Sequence, residues 1–216
     1  MKPGLLITLE GTEGVGKSTN LQFIRDTLSE QKIPFICTRE PGGTPLAETL
    51  RELLLAPRDE PFDPLAELLI MFAARAQHIA HVIRPALERG LWVICDRFTD
   101  ATFAYQGGGR GVPMNIIAQL EALVQRELRP DAVILLDISP QLGLERAGQR
   151  AAPDRFERER CEFFERVRSV YLERADADPA RYYRVDASRP LVDVQQELKD
   201  ILARIRARHE GEEAIG

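Results

Sequence analysis

Gly11-Thr12-Glu13-Gly14-Val15-Gly16-Lys17-Ser18 matches the phosphate-loop pattern G-x-x-x-x-G-K-[ST] at every fixed position. The apolar run 5–9 just before it suits a buried strand. Just after it, Leu21, Ile24 and Leu28 recur at helical spacing. Strand, glycine-rich loop and helix start, in that order, make a cradle for phosphate. The glycines let backbone N–H groups converge, and the helix N-terminus adds a partial positive charge. Gly11, Thr12, Glu13, Gly14, Val15, Gly16, Lys17, Ser18 and Thr19 are therefore the expected triphosphate-binding segment. Lys17 is placed to reach the β- and γ-phosphates, and the Ser18 hydroxyl to face a Mg²⁺ ion. A chance glycine-rich turn has no need of a strand before it and a helix after it.

Working outward, apolar runs at 5–9, 34–37, 91–95, 132–136 and 182–185 alternate with helical patterns at 18–31, 45–54, 64–88, 114–126, 141–150, 157–175 and 191–208. This alternation predicts an α/β fold with a five-stranded parallel sheet flanked by helices. The chain has 216 residues, enough for one well-buried core, and no linker or repeat divides it. A single domain over 1–210 is expected, with the polar stretch from His209 frayed and 211–216 a disordered tail. The formal net charge of −5 gives no global attraction to nucleic acid or anionic membrane, so any anion site must be built locally. Cys37, Cys95 and Cys161 are too few and too scattered for a disulfide framework or a zinc site. Cys37 and Cys95, in apolar strand-like runs, are expected to be buried free thiols, and a cytoplasmic location is expected. No run approaches the roughly 20 apolar residues of a membrane span.

Ligands of such folds bind beyond the carboxyl ends of the strands. There the chain carries the phosphate loop, Thr38-Arg39-Glu40-Pro41-Gly42-Gly43-Thr44, Asp96-Arg97-Phe98 and Asp137. Asp96 ends an apolar run as a metal-side carboxylate does, with Asp137 a second candidate for that role. Arg97, beside the loop, suits a substrate carrying its own phosphate; its bland reading is a surface salt bridge. Glu13 repels phosphate and is expected to turn from it, toward a sugar hydroxyl or solvent. Phe72 and Arg75 lie three apart on one helix face, where a ring can stack on a base and a guanidinium can bond its edge; Phe72 by itself also reads as core. Gln106, beside Gly107-Gly108-Gly109, suits a base edge, and the glycines suggest either close backbone approach or a mobile segment. Arg146, Arg150 and Arg155, among small and breaker residues, suit a mobile flap over 143–156 that carries cations to a transferring phosphoryl group. The acidic residues nearby also allow a solvated helix end.

Taken together, Glu10–Thr19, Thr38–Thr44, Met71-Phe72-Ala73-Ala74-Arg75, Asp96-Arg97-Phe98 and 104–111 make the chain resemble bacterial thymidylate kinases over essentially its whole length. The resemblance implies the P-loop nucleoside monophosphate kinase fold with a small mobile lid, and transfer of a phosphoryl group from Mg-ATP to dTMP. It implies that Phe72 stacks on thymine, that Arg75 and Gln106 bond its edge, and that Thr102 lies beside it. Tyr105 would crowd the sugar 2′ position, and Glu13 would sit at the 3′ side. Arg97 would hold the monophosphate in a pocket shaped by Glu40 and Arg51. With Gly14 in the phosphate loop, the catalytic arginine is expected in the lid, at Arg150, with Arg146 and Arg155 on ATP. Ala187 and Ser188 would border adenine, Ser18 and Asp96 would hold the metal, and the protein would be a homodimer. Three rivals are a kinase for another nucleoside monophosphate, a GTPase switch and an ATPase module of a larger machine. The chain lacks the Asn-Lys-x-Asp motif that a guanine reader would carry.

Overall fold

Strand β1 (Leu6–Glu10) is buried along its whole length, so both of its faces must meet apolar partners. The computed structural model describes residues 3–57, 59–148, 155–156 and 159–211. Around β1 the parallel sheet runs in the order β2-β3-β1-β4-β5, with β2 at Phe35–Arg39, β3 at Trp92–Asp96, β4 at Ala132–Asp137 and β5 at Tyr182–Asp186. Leu9 is paired with Asp96 on one side and with Ile134 on the other, so the strands end in register at one edge.

The period of two along the strands separates the two faces. Ile7, Leu9, Ile94, Ile134 and Leu136 pack with Ile24 and Leu28 of α1 (Lys17–Glu30) and with Leu198, Ile201 and Ile205 of α9 (Leu191–Gly211). Leu6, Val93 and Cys95 meet Ile79, Ile83 and Phe98 on the opposite face, while Val133 and Leu135 meet Phe163, Phe164 and Val167. Three helices start on a capped proline turn. Thr44 accepts from the Ala47 N–H at α2 (Pro45–Leu55), Asp63 from the Leu65 and Ala66 N–H groups at α3 (Pro64–His78), and Ser139 from the Leu142 N–H at α7 (Pro140–Ala147).

Several boundaries differ from the sequence expectation. The helix expected over 64–88 is continuous but changes geometry: α3 passes into a π turn at Ile79–Ile83 and then α4 at Arg84–Glu88. The change falls just ahead of Pro85, whose ring displaces the carbonyl four residues back. The glycine-rich stretch is not a loose loop. After α5 (Thr99–Thr102), Phe103–Gly109 forms a buried π turn leading to α6 (Met114–Gln125). The glycines serve close approach: a Cβ on Gly108 would lie 2.7 Å from Val170 Cγ2 and 2.9 Å from the Arg166 carbonyl oxygen of α8 (Cys161–Ala177). The helical patterns at 141–150 and 157–175 are represented by α7 and α8 among the described residues. Fraying from His209 is not observed: α9 continues to Gly211, with the His209 ring edge-on to Trp92 at 6.1 Å between centroids. Residues 212–216 lie outside the described residues. Among the described residues, no helix is long and apolar enough to cross a membrane.

Gly108→Ala is expected to destabilise the protein by about 1–3 kcal/mol through overpacking against α8. Urea denaturation measures this, and an unchanged midpoint would contradict the close approach.

Candidate active site

The phosphate loop turns because Gly14 and Gly16 adopt φ values of 74° and 85°, a region closed to most side chains. Gly14 is pressed against the Gly143 backbone of α7, so a side chain there has no room. Val15 drops its side chain into the core, where it is 2% exposed, and leaves its backbone in the loop. Lys17 opens α1 and folds back over its own loop, donating from Nζ to the carbonyls of Thr12 at 2.9 Å and Gly11 at 3.2 Å.

Arg97 follows β3 with φ 66°, a left-handed conformation uncommon for a non-glycine residue and often associated with functional sites. Glu10 accepts the Phe98 N–H at 2.7 Å and the Tyr171 hydroxyl at 3.0 Å, which fixes the turn. Burial, and after it the charge of Asp100, push the Glu10 carboxyl upward. The Arg97 guanidinium then donates to the Gly11 carbonyl at 2.5 Å and to Glu13, over the ring of Tyr105. Tyr105 also donates to Glu13, at 3.1 Å. Burial works against a charge on Glu13, but Arg97 and Lys17 outweigh it and hold this carboxyl at about 2. Glu13 thus faces the cations beside the loop rather than solvent.

These groups wall one end of a cavity of about 250 Å³, together with Ser18 and Asp96. One Asp96 oxygen, Oδ1, is buried without a hydrogen-bond partner. Asp137 is engaged elsewhere: Arg168 grips it through both oxygens at 2.6 and 3.0 Å, and Arg184 adds a bond of 2.7 Å. Among the described residues, no cluster of three or more His, Cys, Asp or Glu side chains is arranged to hold a metal.

The other end of the cavity is built on Arg75, which is 3% exposed. Its Nε donates to Glu40 at 2.6 Å, and its Nη2 donates to the Phe98 carbonyl at 3.1 Å and to Thr102 Oγ1 at 2.9 Å. The second Glu40 oxygen meets His78 Nδ1 at 3.0 Å, and the far side of that ring meets Thr38 at 2.6 Å. Arg75 Nη1 and Gln106 Oε1 are left buried without partners. Met71 and Phe156 also line the cavity, while Phe72, 2% exposed, lies under the Arg75 guanidinium at 4.9 Å and packs into the core. Arg51 also lines the cavity and donates to the Pro41 carbonyl at 3.0 Å.

Of the flap arginines, Arg146 donates to the Ala187 carbonyl at 2.9 Å and to that of Ser188 at 3.4 Å, so these three expected neighbours do meet. Arg155, expected on ATP, is engaged within the protein. It pairs with Glu67 and donates to the Leu54 carbonyl at 2.9 Å, because a carboxylate only 1% exposed needs a cation. Arg150 lies outside the described residues. Sequence reasoning passed over Glu67, Met71, His78 and Phe156. Glu67, Met71, Arg75 and His78 recur at intervals of four, four and three along α3, which is the signal of one shared face. Phe156 carries no such signal.

A family model described as thymidylate kinase matches residues 9–198. The chain is 58% identical over 199 residues to a thymidylate kinase of Pseudomonas fluorescens strain Pf0-1, covering 92% of this chain and 95% of that protein. To one from Teredinibacter turnerae it is 60% identical, covering 92% and 97%. Among solved structures, thymidylate kinase from Ehrlichia chaffeensis superposes with a TM-score of 0.73 at 34% identity, covering 93% of this chain and 99% of that one.

Burial, and after it the charge of Arg97, lower the Lys17 ammonium to about 8 in the nucleotide-free protein. A triphosphate in the loop favours the charged form, so the bound pKa lies above the free one. Affinity should therefore be full below pH 8 and fall as pH rises through it, approaching about tenfold per pH unit, with a proton taken up on binding. Calorimetric titration in buffers of different ionisation heat tests this. Constant affinity with no proton uptake would contradict it.

Proposed function

The chain belongs to the thymidylate kinase family and is a kinase that phosphorylates dTMP to dTDP for dTTP synthesis; on that premise we propose how its residues divide the work. The thymine base lies at the Arg75 end of the cavity and the phosphates at the Lys17 end. One observation carries this reading: a buried orphan donor, Arg75 Nη1, and a buried orphan acceptor, Gln106 Oε1, at the same end. Thymine offers the complement, with O4 accepting and N3–H donating. Cytosine reverses both, so it meets donor with donor and acceptor with acceptor. Phe72 and Thr102 back this edge, and Tyr105 and Glu13 border the sugar.

At the phosphate end, ATP occupies the loop from Gly11 to Thr19, and the dTMP phosphate meets Arg97, in a pocket supported by Glu40 and Arg51. The attacking group is itself a phosphate oxygen with a second pKa of about 6, already deprotonated at neutral pH, so no general base is required. Catalysis is alignment of two anions for in-line transfer, with Lys17 and Arg97 offsetting their repulsion. Arg150 is the lid arginine assigned by sequence to the transferring group. Arg146, Ala187 and Ser188 border the adenine. The unpartnered Asp96 Oδ1 and the exposed Ser18 suit a Mg²⁺ ion that completes its shell with phosphate oxygens and water. Such an ion would supply positive charge that offsets the negative charge of the phosphates. The protein works in the cytoplasm as one domain, 1–210, with a lid near 143–156.

A second copy of the chain is the proposed occupant of the apolar side formed by α2, α3 and α6. Leu46 and Leu53 are 54% and 45% exposed there, Leu65 and Leu69 are 47% and 50%, and Leu123 is 73%. Light scattering should give twice the 24.4 kDa chain mass. A monomer at micromolar concentration would refute this.

The activity test is Mg-ATP consumption with a panel of deoxy- and ribonucleoside monophosphates. Thymidine monophosphate should exceed deoxycytidine monophosphate in kcat/KM by about 10⁴ or more, because the wrong base leaves buried groups unpaired. A preference for cytosine would keep the phosphate chemistry and remove the base assignment.

A further inference from the structure

Glu67 is a lone carboxylate in α3, 1% exposed, and it does not line the cavity. Its Oε1 accepts the Gln106 side-chain amide from Nε2 at 2.9 Å, and Arg110 Nε lies 3.5 Å from the same oxygen. Its Oε2 pairs with Arg155, whose neighbour Phe156 forms part of the cavity wall. Gln106 is itself 0% exposed. Its amide therefore has two ends and two settings, one facing Glu67 and one facing the cavity.

We propose that Glu67 is a specificity-determining positioning residue: its carboxylate dictates which end of the Gln106 amide meets the base. A carboxylate paired with guanidinium groups accepts hydrogen bonds and donates none. Turning the Gln106 carbonyl toward Glu67 would set acceptor against acceptor in a buried site and leave both unpaired, which is costly. The amide nitrogen is thereby fixed on Glu67, and Oε1, which has no partner in the structure, is presented to the ligand. An acceptor held there selects a base carrying a ring N–H and disfavours one with a bare ring nitrogen. Glu67 thus acts on base choice without touching the base. The inference rests on the base-edge reading above.

The test compares kcat/KM for thymidine and deoxycytidine monophosphates in the wild type, Glu67→Gln, Gln106→Met and the double variant. A glutamine at 67 can donate as well as accept, which frees the amide at 106 to turn. The thymidine-to-deoxycytidine ratio is then expected to fall roughly tenfold, with the KM for ATP unchanged. On the Gln106→Met background, Glu67→Gln should shift the ratio no further, because the amide through which Glu67 is proposed to act has been removed. Equal loss with both acceptors, or a shift that persists without Gln106, would overturn the proposal. A wild type without preference for thymidine would instead overturn the base-edge reading and this inference with it. Should Glu67→Gln not fold, Glu67→Asp keeps a charge for the arginines but shortens the reach to Gln106. The ratio should fall in the same direction, and an unchanged ratio would count against the proposal.

Discussion

A chain with a formal charge of −5 must gather positive charge in one buried corner to hold two phosphorylated ligands together, and the rest of the structure follows from that constraint. Lys17 and Arg97 repel one another and are both drawn out of water. They persist because Glu13 and the carbonyls of Gly11 and Thr12 occupy their donors when no ligand is present. These are the groups that an incoming phosphate can relieve. The site is preorganised in charge and position, which is what phosphoryl transfer asks of a protein.

That corner is held in place by residues behind it, Glu10, Tyr171 and Gly143, which do not line the cavity. Glu10 ties the turn after β3 to α8 through Tyr171, so the left-handed Arg97 is fixed from behind. The Gly14–Gly143 contact brings the phosphate loop flush against α7, which fixes the loop relative to that helix. It also explains in steric terms why this loop carries no arginine at position 14.

The Arg75 side of the cavity follows a different rule. Its polar groups form buried networks, Thr38–His78–Glu40–Arg75 and Arg155–Glu67–Gln106, and the cavity-lining member of each, Arg75 and Gln106, keeps one buried atom without a partner. In a desolvated site, fully bonded networks of this kind fix side-chain direction, and an unmatched ligand meets an unpaired polar group. Selectivity at this end therefore comes from exclusion as much as from attraction.

The sequence determined the fold and the phosphate end, because both are local. Strand period, helix period and glycine spacing act within a few residues of one another, and they marked the five strands, the loop, Lys17 and the strand-end carboxylates. What it left open were matters of contact between distant segments. Nothing in the local pattern says whether Gly107-Gly108-Gly109 is loose or packed, and α8 decided that by closing on its backbone. The Arg97 that follows it favoured Asp96 over Asp137 locally, but only the fold shows that Arg168 and Arg184 occupy Asp137. Arg155 read as a flap cation until Glu67, 88 positions earlier, claimed it. Local periodicity determines where elements begin and which face is apolar, whereas the partner of a buried charge is chosen by packing across the whole chain.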